Sequence, residues 1–383
     1  MKKPPLRYFR TENFKAVRAS GKVDFDWLTV FIGNNGVGKS SLIEALEAYR
    51  DIVTRGMDAA FEKWHGFGYV VTKKKDDQRP RGFFPSTEPL QLSLRGSWNS
   101  PSRVFNVNLT AGVDLGASVP RITAESLRLA PGNTIIRTAD GRCETANNET
   151  LDRVRRVSPG ESAAPQDWVQ ELLRWQFLSL DPSAMGEPAR QTLADGRPVL
   201  SRNGSNLGQY LWSLRNASVD AFESLLEAMQ YVLPYARDMQ PVVTEAIERL
   251  VHLEITEQDF KIPGWLLSTG TLRVLALLAC LRHPTPPPLL VIEEIENGLD
   301  PRTLHLVVEE IRAAITAGTT QVILTTHSPY LLDLLDLSHL VVVERENGQP
   351  VFRRPDAEQL VEWSKSFSPG RLYTMGKLTG GQS

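Results

Sequence analysis

The stretch Trp27-Leu-Thr-Val-Phe-Ile-Gly-Asn-Asn-Gly-Val-Gly-Lys-Ser-Ser41 runs apolar, ends in glycines and restarts on Leu42. The pattern predicts a buried strand, a loop and the start of a helix. Gly33, Gly38, Lys39 and Ser40 keep the spacing G-x-x-x-x-G-K-[ST], in which a glycine-rich turn converges its backbone N–H groups on phosphates. Beyond the turn, Leu42, Ile43, Leu46, Tyr49 and Val53 recur at helical spacing, so a helix N-terminus adds partial positive charge at the same place. The residues expected on a nucleotide are Gly33, Asn34, Asn35, Gly36, Val37, Gly38, Lys39, Ser40 and Ser41. Lys39 supplies a full charge, and the Ser40 hydroxyl a ligand for Mg²⁺. A plain glycine turn is the alternative, and the flanking strand and helix weigh against it.

The partners expected for this loop lie far downstream. Leu289-Leu-Val-Ile292 is a short apolar run of the kind that forms a buried parallel strand, and Glu293 and Glu294 follow it at once. Ligands gather at the carboxyl ends of strands in open α/β sheets. One acid there can orient hydrated Mg²⁺ and the next can face the attacking water. A charged turn after a strand is the competing reading. Gln321-Val-Ile-Leu-Thr-Thr-His327 is a second apolar strand with a histidine beyond its end. Leu267-Ser-Thr-Gly270 opens an apolar helix through Leu272, Leu275, Leu278 and Leu281.

In this order, Gly33 to Ser40, Leu267 to Gly270, Glu293-Glu294, Asn297-Gly-Leu-Asp300 and His327 make the chain resemble an ATP-binding-cassette ATPase of the soluble branch related to RecF and SMC heads. Ser268-Thr-Gly-Thr-Leu-Arg273, Glu293-Glu-Ile-Glu-Asn-Gly-Leu-Asp-Pro301, Thr325-Thr-His-Ser-Pro329 and Asn203-Gly-Ser-Asn-Leu207 narrow the resemblance. They point to the compact AAA family ATPase group that includes the ATPase parts of OLD-type nucleases and of several bacterial anti-phage systems. The resemblance spans nearly the whole chain. It implies an α/β fold, a P-loop NTPase with an ABC-ATPase-like core, a flanking antiparallel β-subdomain and a helical lobe. The expected divisions are 1–182 for the first part of the core with the β-subdomain, 183–262 for the helical lobe and 263–383 for the second part of the core.

The resemblance also implies ATP and Mg²⁺ as cofactors and assigns roles. Ser40 and Glu293 would hold the metal, Glu294 would orient the attacking water, and His327 would contact the γ-phosphate. Ser268 and Gly270 would complete the site of a second protomer, so that ATP is sandwiched in a homodimer or higher oligomer. Asp300 would cross the same interface or cap the helix that begins at Pro301, and both can hold. Two departures matter. Glu293 stands where transporter ATPases and SMC heads have Asp, and Thr269 and Thr271 stand where transporters have Gly and Gln. These weaken the transporter analogy and favour the soluble group.

With 383 residues, 41% hydrophobic and 23% charged, the chain is ordinary for a globular protein, and its net charge of -2 gives no whole-chain reason to expect nucleic acid. Cys143 and Cys280 are the only cysteines, which argues against a disulfide or metal framework. The amino terminus lacks the apolar core of a signal peptide, and the longest apolar run, Val274 to Leu281, is too short to cross a bilayer. The expectation is a cytoplasmic protein without membrane contact.

Along the chain, Leu6 to Phe14 reads as a strand, which the family pairs with the phosphate-loop strand to bring Lys15, or Arg18, near the nucleotide. An exposed cation at a strand end is the alternative. Tyr69 to Val71 and Leu90 to Leu94 read as strands around Lys73-Lys-Lys-Asp-Asp-Gln-Arg-Pro-Arg-Gly82, a basic loop that either contacts DNA or is simply solvated. Ser93 to Ala146 alternates as an antiparallel sheet, Trp168 to Trp175 reads helical, and residues 203–250 read helical with two apolar stripes. His252 reads as a solvent-facing strand residue, and Leu340 to Val343 as the final strand.

Three functions compete. The first is an ATP-driven switch for a separately encoded effector, such as a nuclease, in phage defence or genome maintenance, because the residues after His327 are too few for a fused nuclease domain. The second is a RecF-like DNA clamp in repair, and the third a scaffold that binds ATP with little turnover.

Overall fold

The computed structural model describes residues 3–71, 88–98, 103–114, 119–130, 133–137, 142–147, 150–156, 158, 160–190, 199–244 and 249–378. The basic loop at 73–82 lies outside them. The chain forms two compact units. One comprises Met1–Trp175, Leu337–Phe367 and Met375–Ser383, the other Gln176–Asp336 and Ser368–Thr374.

In the first unit the phosphate-loop strand is Leu28–Ile32, buried at every position, and the helix behind the loop is Lys39–Arg55. The strand runs parallel to Leu340–Glu346, with Val30 opposite Leu340 and Ile32 opposite Val342. Leu340–Glu346 is not the last strand. Asn347 and Gly348 both take positive φ, and the chain returns antiparallel as Gln349–Arg353. Asn-Gly is the pair that a tight hairpin turn of this kind requires.

Leu6–Phe14 does not pair with the phosphate-loop strand as expected. It pairs antiparallel with Leu90–Ser97 and with the short strands Val17–Ala19 and Val23–Asp24. It thereby joins an antiparallel sheet that continues through Val104–Asp114, Val119–Ala130, Asn133–Arg137, Arg142–Asn147 and Thr150–Arg156. The cause is its alternating burial, with Phe9 and Thr11 inside and Arg10 between them outside, which suits a sheet with one covered face rather than a parallel strand buried on both. Tyr69 to Val71 is also not a strand: Phe67–Tyr69 is a short 3₁₀ turn, and Val71 makes a single bridge to Phe14. Gly66 and Gly68 break the alternation there, and Phe67 instead packs edge-on against Phe61, 5.1 Å between ring centres.

The expected helix is Gln166–Leu173, and its Trp168 is fully buried. The Trp168 ring lies 4.5 Å from Phe105 of the antiparallel sheet, and its indole N–H donates to the Tyr49 hydroxyl at 3.0 Å. One tryptophan thus ties the sheet to the phosphate-loop helix. Burial raises the Tyr49 pKa, keeping that hydroxyl a neutral partner.

In the second unit, Gln176–Leu178, Leu289–Ile292 and Gln321–Thr326 form parallel pairs in that order, with Leu178 opposite Ile292 and Ile292 opposite Leu324. All are buried, built on the apolar runs Phe177-Leu178, Leu289–Ile292 and Val322-Ile-Leu324. Residues 203–250 are helical only as far as Val232, in Leu207–Ala217 and Val219–Val232, whose stripes at Leu207, Leu211, Leu214 and Leu225 are core. Pro234 then excludes helix for Leu233. Ala236–Val243 is a strand paired with Leu250–Glu257.

His252 is correspondingly not solvent-facing. Only 11% of its side chain is exposed, beside Glu254 and 5.5 Å from the Trp265 ring. The Cys143 and Cys280 thiols are both buried, and burial pushes the Cys280 thiol up to about 12, which removes thiolate reactivity.

Candidate functional site

The glycines of the phosphate loop are required by what stands behind them. A Cβ on Gly33 would lie 2.3 Å from the carbonyl oxygen of Val343, and one on Gly38 would lie 2.5 Å from Pro350. Both residues also take positive φ, 152° and 117°. The late hairpin therefore presses the loop into a form that only glycine allows.

Gly38 is the N-cap of the helix and offers no side-chain acceptor, and the first turn carries no acid. The N–H groups of that turn are thus directed to an incoming anion. Lys39 is buried, and its ammonium donates to the carbonyls of Gly33 at 2.5 Å and Asn34 at 3.0 Å, which holds the charge inside the curve of the loop. Asn34, Asn35, Gly36 and Ser40 are exposed, Val37 and Ser41 half-buried. The cradle and its hydroxyl are open to a ligand. Lys15 is taken up differently: its ammonium pairs with Glu44 of the same helix at 2.5 Å and lies 4.6 Å from the Trp64 ring centre. Arg18 is exposed, and its backbone N–H donates to Gln349.

In the second unit the acidic strand end and the histidine strand end meet. The Glu293 N–H donates to Leu178 at 2.9 Å, extending the parallel pairing, and the Glu293 carboxylate pairs with the Arg202 guanidinium. Glu294 is exposed and holds φ 48°, an uncommon conformation for a side chain of this kind. Its N–H donates to the Thr325 hydroxyl at 2.9 Å, and its carboxylate accepts from Asn297 at 2.5 Å. His327 donates its backbone N–H to Glu296 at 2.8 Å.

Arg273 stands among these acids. Its guanidinium donates to the Leu180 carbonyl at 2.7 Å, and burial pulls its pKa down against the opposing pull of Glu294, Asp181 and Glu296. Arg202, Glu296 and Thr325 were missed as functional residues by sequence reasoning. Each lay in or beside a motif already singled out, but nothing local says which carboxylate a distant arginine or backbone N–H will find.

Ser268 caps the helix Thr269–Leu281, accepting from the Thr271 N–H at 3.1 Å. A Cβ on Gly270 would stand 2.5 Å from the carbonyl of Gly298, so the turn at Ser268 and the turn at Asn297-Gly-Leu-Asp300 are packed backbone to backbone. Asp300 does cap its helix, Pro301–Ala317, accepting from the N–H groups of Arg302 at 2.9 Å and Thr303 at 3.2 Å. The Thr303 hydroxyl, foremost, and these backbone bonds hold the Asp300 carboxyl below the usual range. Ser268, Thr269, Gly298 and Asp300 are exposed, together with Trp265 and Leu266 just ahead of the turn.

A glycine loop that side chains cannot enter, a buried lysine curled into it and an uncapped helix behind it define a phosphate-loop ATPase of the ABC/AAA type. The family model described as "AAA domain, putative AbiEii toxin, Type IV TA system" matches residues 141–333, just over half of the chain, and the chain belongs to this family. A second model, "AAA ATPase domain", matches residues 6–51, which contain the phosphate loop.

Among curated relatives, the Nod factor export ATP-binding protein I of Sinorhizobium fredii (strain NBRC 101917 / NGR234) is 35% identical over 107 residues, 28% of this chain and 29% of the relative. The protein of the same name from Bradyrhizobium diazoefficiens is 38% identical over 105 residues, 27% of this chain and 32% of the relative. The chain therefore spans about three-tenths of the length of these relatives. Among solved structures, an SMC head bound to the C-winged helix domain of ScpA is similar over 94% of this chain and 100% of that one, at 13% identity and a TM-score of 0.54. An SMC head with an extended coiled coil, bound to the C-terminal domain of ScpA derived from Pyrococcus furiosus, is similar over 94% and 99%, at 11% identity and a TM-score of 0.50. These likenesses show the fold. No helix among the described residues is long and apolar enough to cross a membrane.

Proposed function

We propose that this ATPase is a nucleotide-dependent dimeric switch that controls a separately encoded effector, a nuclease by this reading, in the cytoplasm during phage defence or genome maintenance. The phosphates of ATP bind Gly33 to Ser41, with Lys39 as the charged donor, and the cradle and the uncapped helix fit that group. Ser40 and Glu293 are oxygen donors of the kind Mg²⁺ prefers, and would hold it, with Arg202 competing for the carboxylate. When bound, the ion neutralises charge on the phosphate oxygens. Glu294 orients the attacking water, His327 contacts the γ-phosphate, and Lys15 remains a flanking cation. Ser268, Gly270 and Asp300 belong to the face that closes on a second copy.

The observation that carries the dimer is the backbone contact of Gly270 on Gly298, which makes the two turns one exposed surface with Trp265 and Leu266 beside it. Large apolar side chains left exposed next to polar turns mark an interaction site. A family described by a toxin and a TA system fits a chain that works with a separate partner. The test is the mass of Glu294→Gln in solution with and without ATP. A dimer only with ATP, abolished by Ser268→Arg, is expected; a monomer under both conditions would reject the switch. Turnover by Glu294→Gln should fall about 100-fold or more, and an unchanged rate would leave a scaffold that binds ATP.

A DNA clamp is the second reading. It is supported by a lateral row on the antiparallel sheet, Tyr8 beside Arg95, Asn106, Arg128 and Thr134, in which Arg95 and Arg128 are exposed. Such side chains suit phosphate contacts. Duplex binding that weakens steeply with salt would favour it.

A further inference from the structure

The turn after the acidic strand carries a third acid, and it reaches the histidine. Glu296 has 11% of its side chain exposed, and one oxygen, Oε1, both accepts the His327 backbone N–H at 2.8 Å and faces the ring Nδ1 at 3.3 Å. The other oxygen, Oε2, is buried and has no hydrogen-bond partner among the described residues. A half-satisfied carboxylate is a costly way to hold one backbone N–H, since a neutral acceptor would do so without taking a charge out of water. What the carboxylate adds is a charge beside an imidazole.

The His327 side chain is 45% exposed, and among the described residues the polar partner of its ring is Glu296. The backbone on its far side is held separately, with the Ser328 N–H donating to the Thr326 hydroxyl and the Leu331 N–H to the Ser328 hydroxyl. The ring orientation is left to Glu296.

We propose that Glu296 is the positioning residue for His327. Its carboxylate accepts a hydrogen bond from Nδ1–H, which keeps the proton on that nitrogen, sets the tautomer, and turns Nε2 toward the phosphate being transferred. Histidines that act on a substrate commonly depend on a second group to choose which nitrogen carries the proton. This inference rests on the reading of His327 as a γ-phosphate contact. Glu296 itself need not touch ATP, so its removal affects the rate of the chemical step and not the binding of nucleotide.

The experiment compares Glu296→Ala, Glu296→Gln, His327→Ala and the double alanine variant in steady-state ATP turnover, with nucleotide affinity measured alongside. It adds nitrogen NMR of ¹⁵N-histidine-labelled protein to read the tautomer of His327. Glu296→Ala is expected to lower kcat about 10- to 100-fold, with ATP affinity changed less than about twofold. Glu296→Gln, which keeps an acceptor for the backbone N–H, should recover part of the rate. The double variant should be no slower than His327→Ala alone, because the two residues act as one unit. The ring proton should sit on Nδ1 in the wild type and move to Nε2 in Glu296→Ala. Wild-type kcat in Glu296→Ala alongside an impaired His327→Ala, or losses that multiply in the double variant, would overturn the inference. Wild-type turnover by His327→Ala would overturn the reading beneath it, and the inference with it.

Discussion

Two helices of this chain are each 17 residues long and begin in opposite ways. Pro301–Ala317 opens on Asp300, whose carboxylate accepts two backbone N–H groups, and on a proline that has no N–H to satisfy. Lys39–Arg55 opens on Gly38, in the left-handed region, with no side-chain cap and no acid in its first turn. The first helix completes its own hydrogen bonding. The second leaves donors and a partial positive charge to be met from outside the chain. A cap worth about 1 kcal/mol is absent where an anion is to bind. It is present on Pro301–Ala317, whose first N–H groups are met from within the chain.

The largest effect expected from this contrast is on binding. Lys39→Ala should weaken ATP affinity about 100-fold, since it removes the full positive charge in the first turn of the uncapped helix. Calorimetric titration would read this, and wild-type affinity would mean that the helix end and loop suffice without the lysine. A smaller effect is expected on stability. Gly38→Ala places a side chain at φ 117° and against Pro350, and should cost about 1–3 kcal/mol in chemical denaturation. An unchanged midpoint would show that the hairpin does not press on the loop.

The smallest effect should come from the capped helix. Asp300→Ala should lose about 1 kcal/mol of stability and leave ATP affinity of the monomer unaltered. Because the folded carboxyl lies below its usual range, its stabilisation is present above the unfolded pKa of about 3.9 and disappears as pH falls through the folded value. The gap in melting temperature between wild type and Asp300→Ala should therefore be full at neutral pH and close only as pH falls through the lowered folded pKa. A gap that persists in acid would assign the cap to something other than the carboxylate's charge.

How far the sequence could be read depended on the range of the interaction. The strand at Leu28, the loop at Gly33 and the helix at Lys39 were legible because each follows from neighbours a few residues apart. So was the Asp300 cap, whose carboxylate finds N–H groups within three positions. The strand pairing of Leu6–Phe14 was not, because alternation says that one face is covered without saying by which partner. Ala236–Val243 was lost to the periodicity of the preceding helix, although Pro234 marked where that periodicity had to stop. The Asn347-Gly348 turn was a strong local signal that went unused.

By itself, the order of residues determined which segments become strand, loop and helix, and where phosphate chemistry is concentrated, because backbone conformation and hydrogen bonding over a few residues are local properties. Only the folded chain decided that Gly33 and Gly38 are backed by Val343 and Pro350, that Arg202 pairs with Glu293, and that Glu296 reaches His327. Those contacts join positions from 31 to more than 300 residues apart. Their partners are selected by packing and strand register in competition with every other surface of the chain, and no local pattern encodes the outcome of that competition.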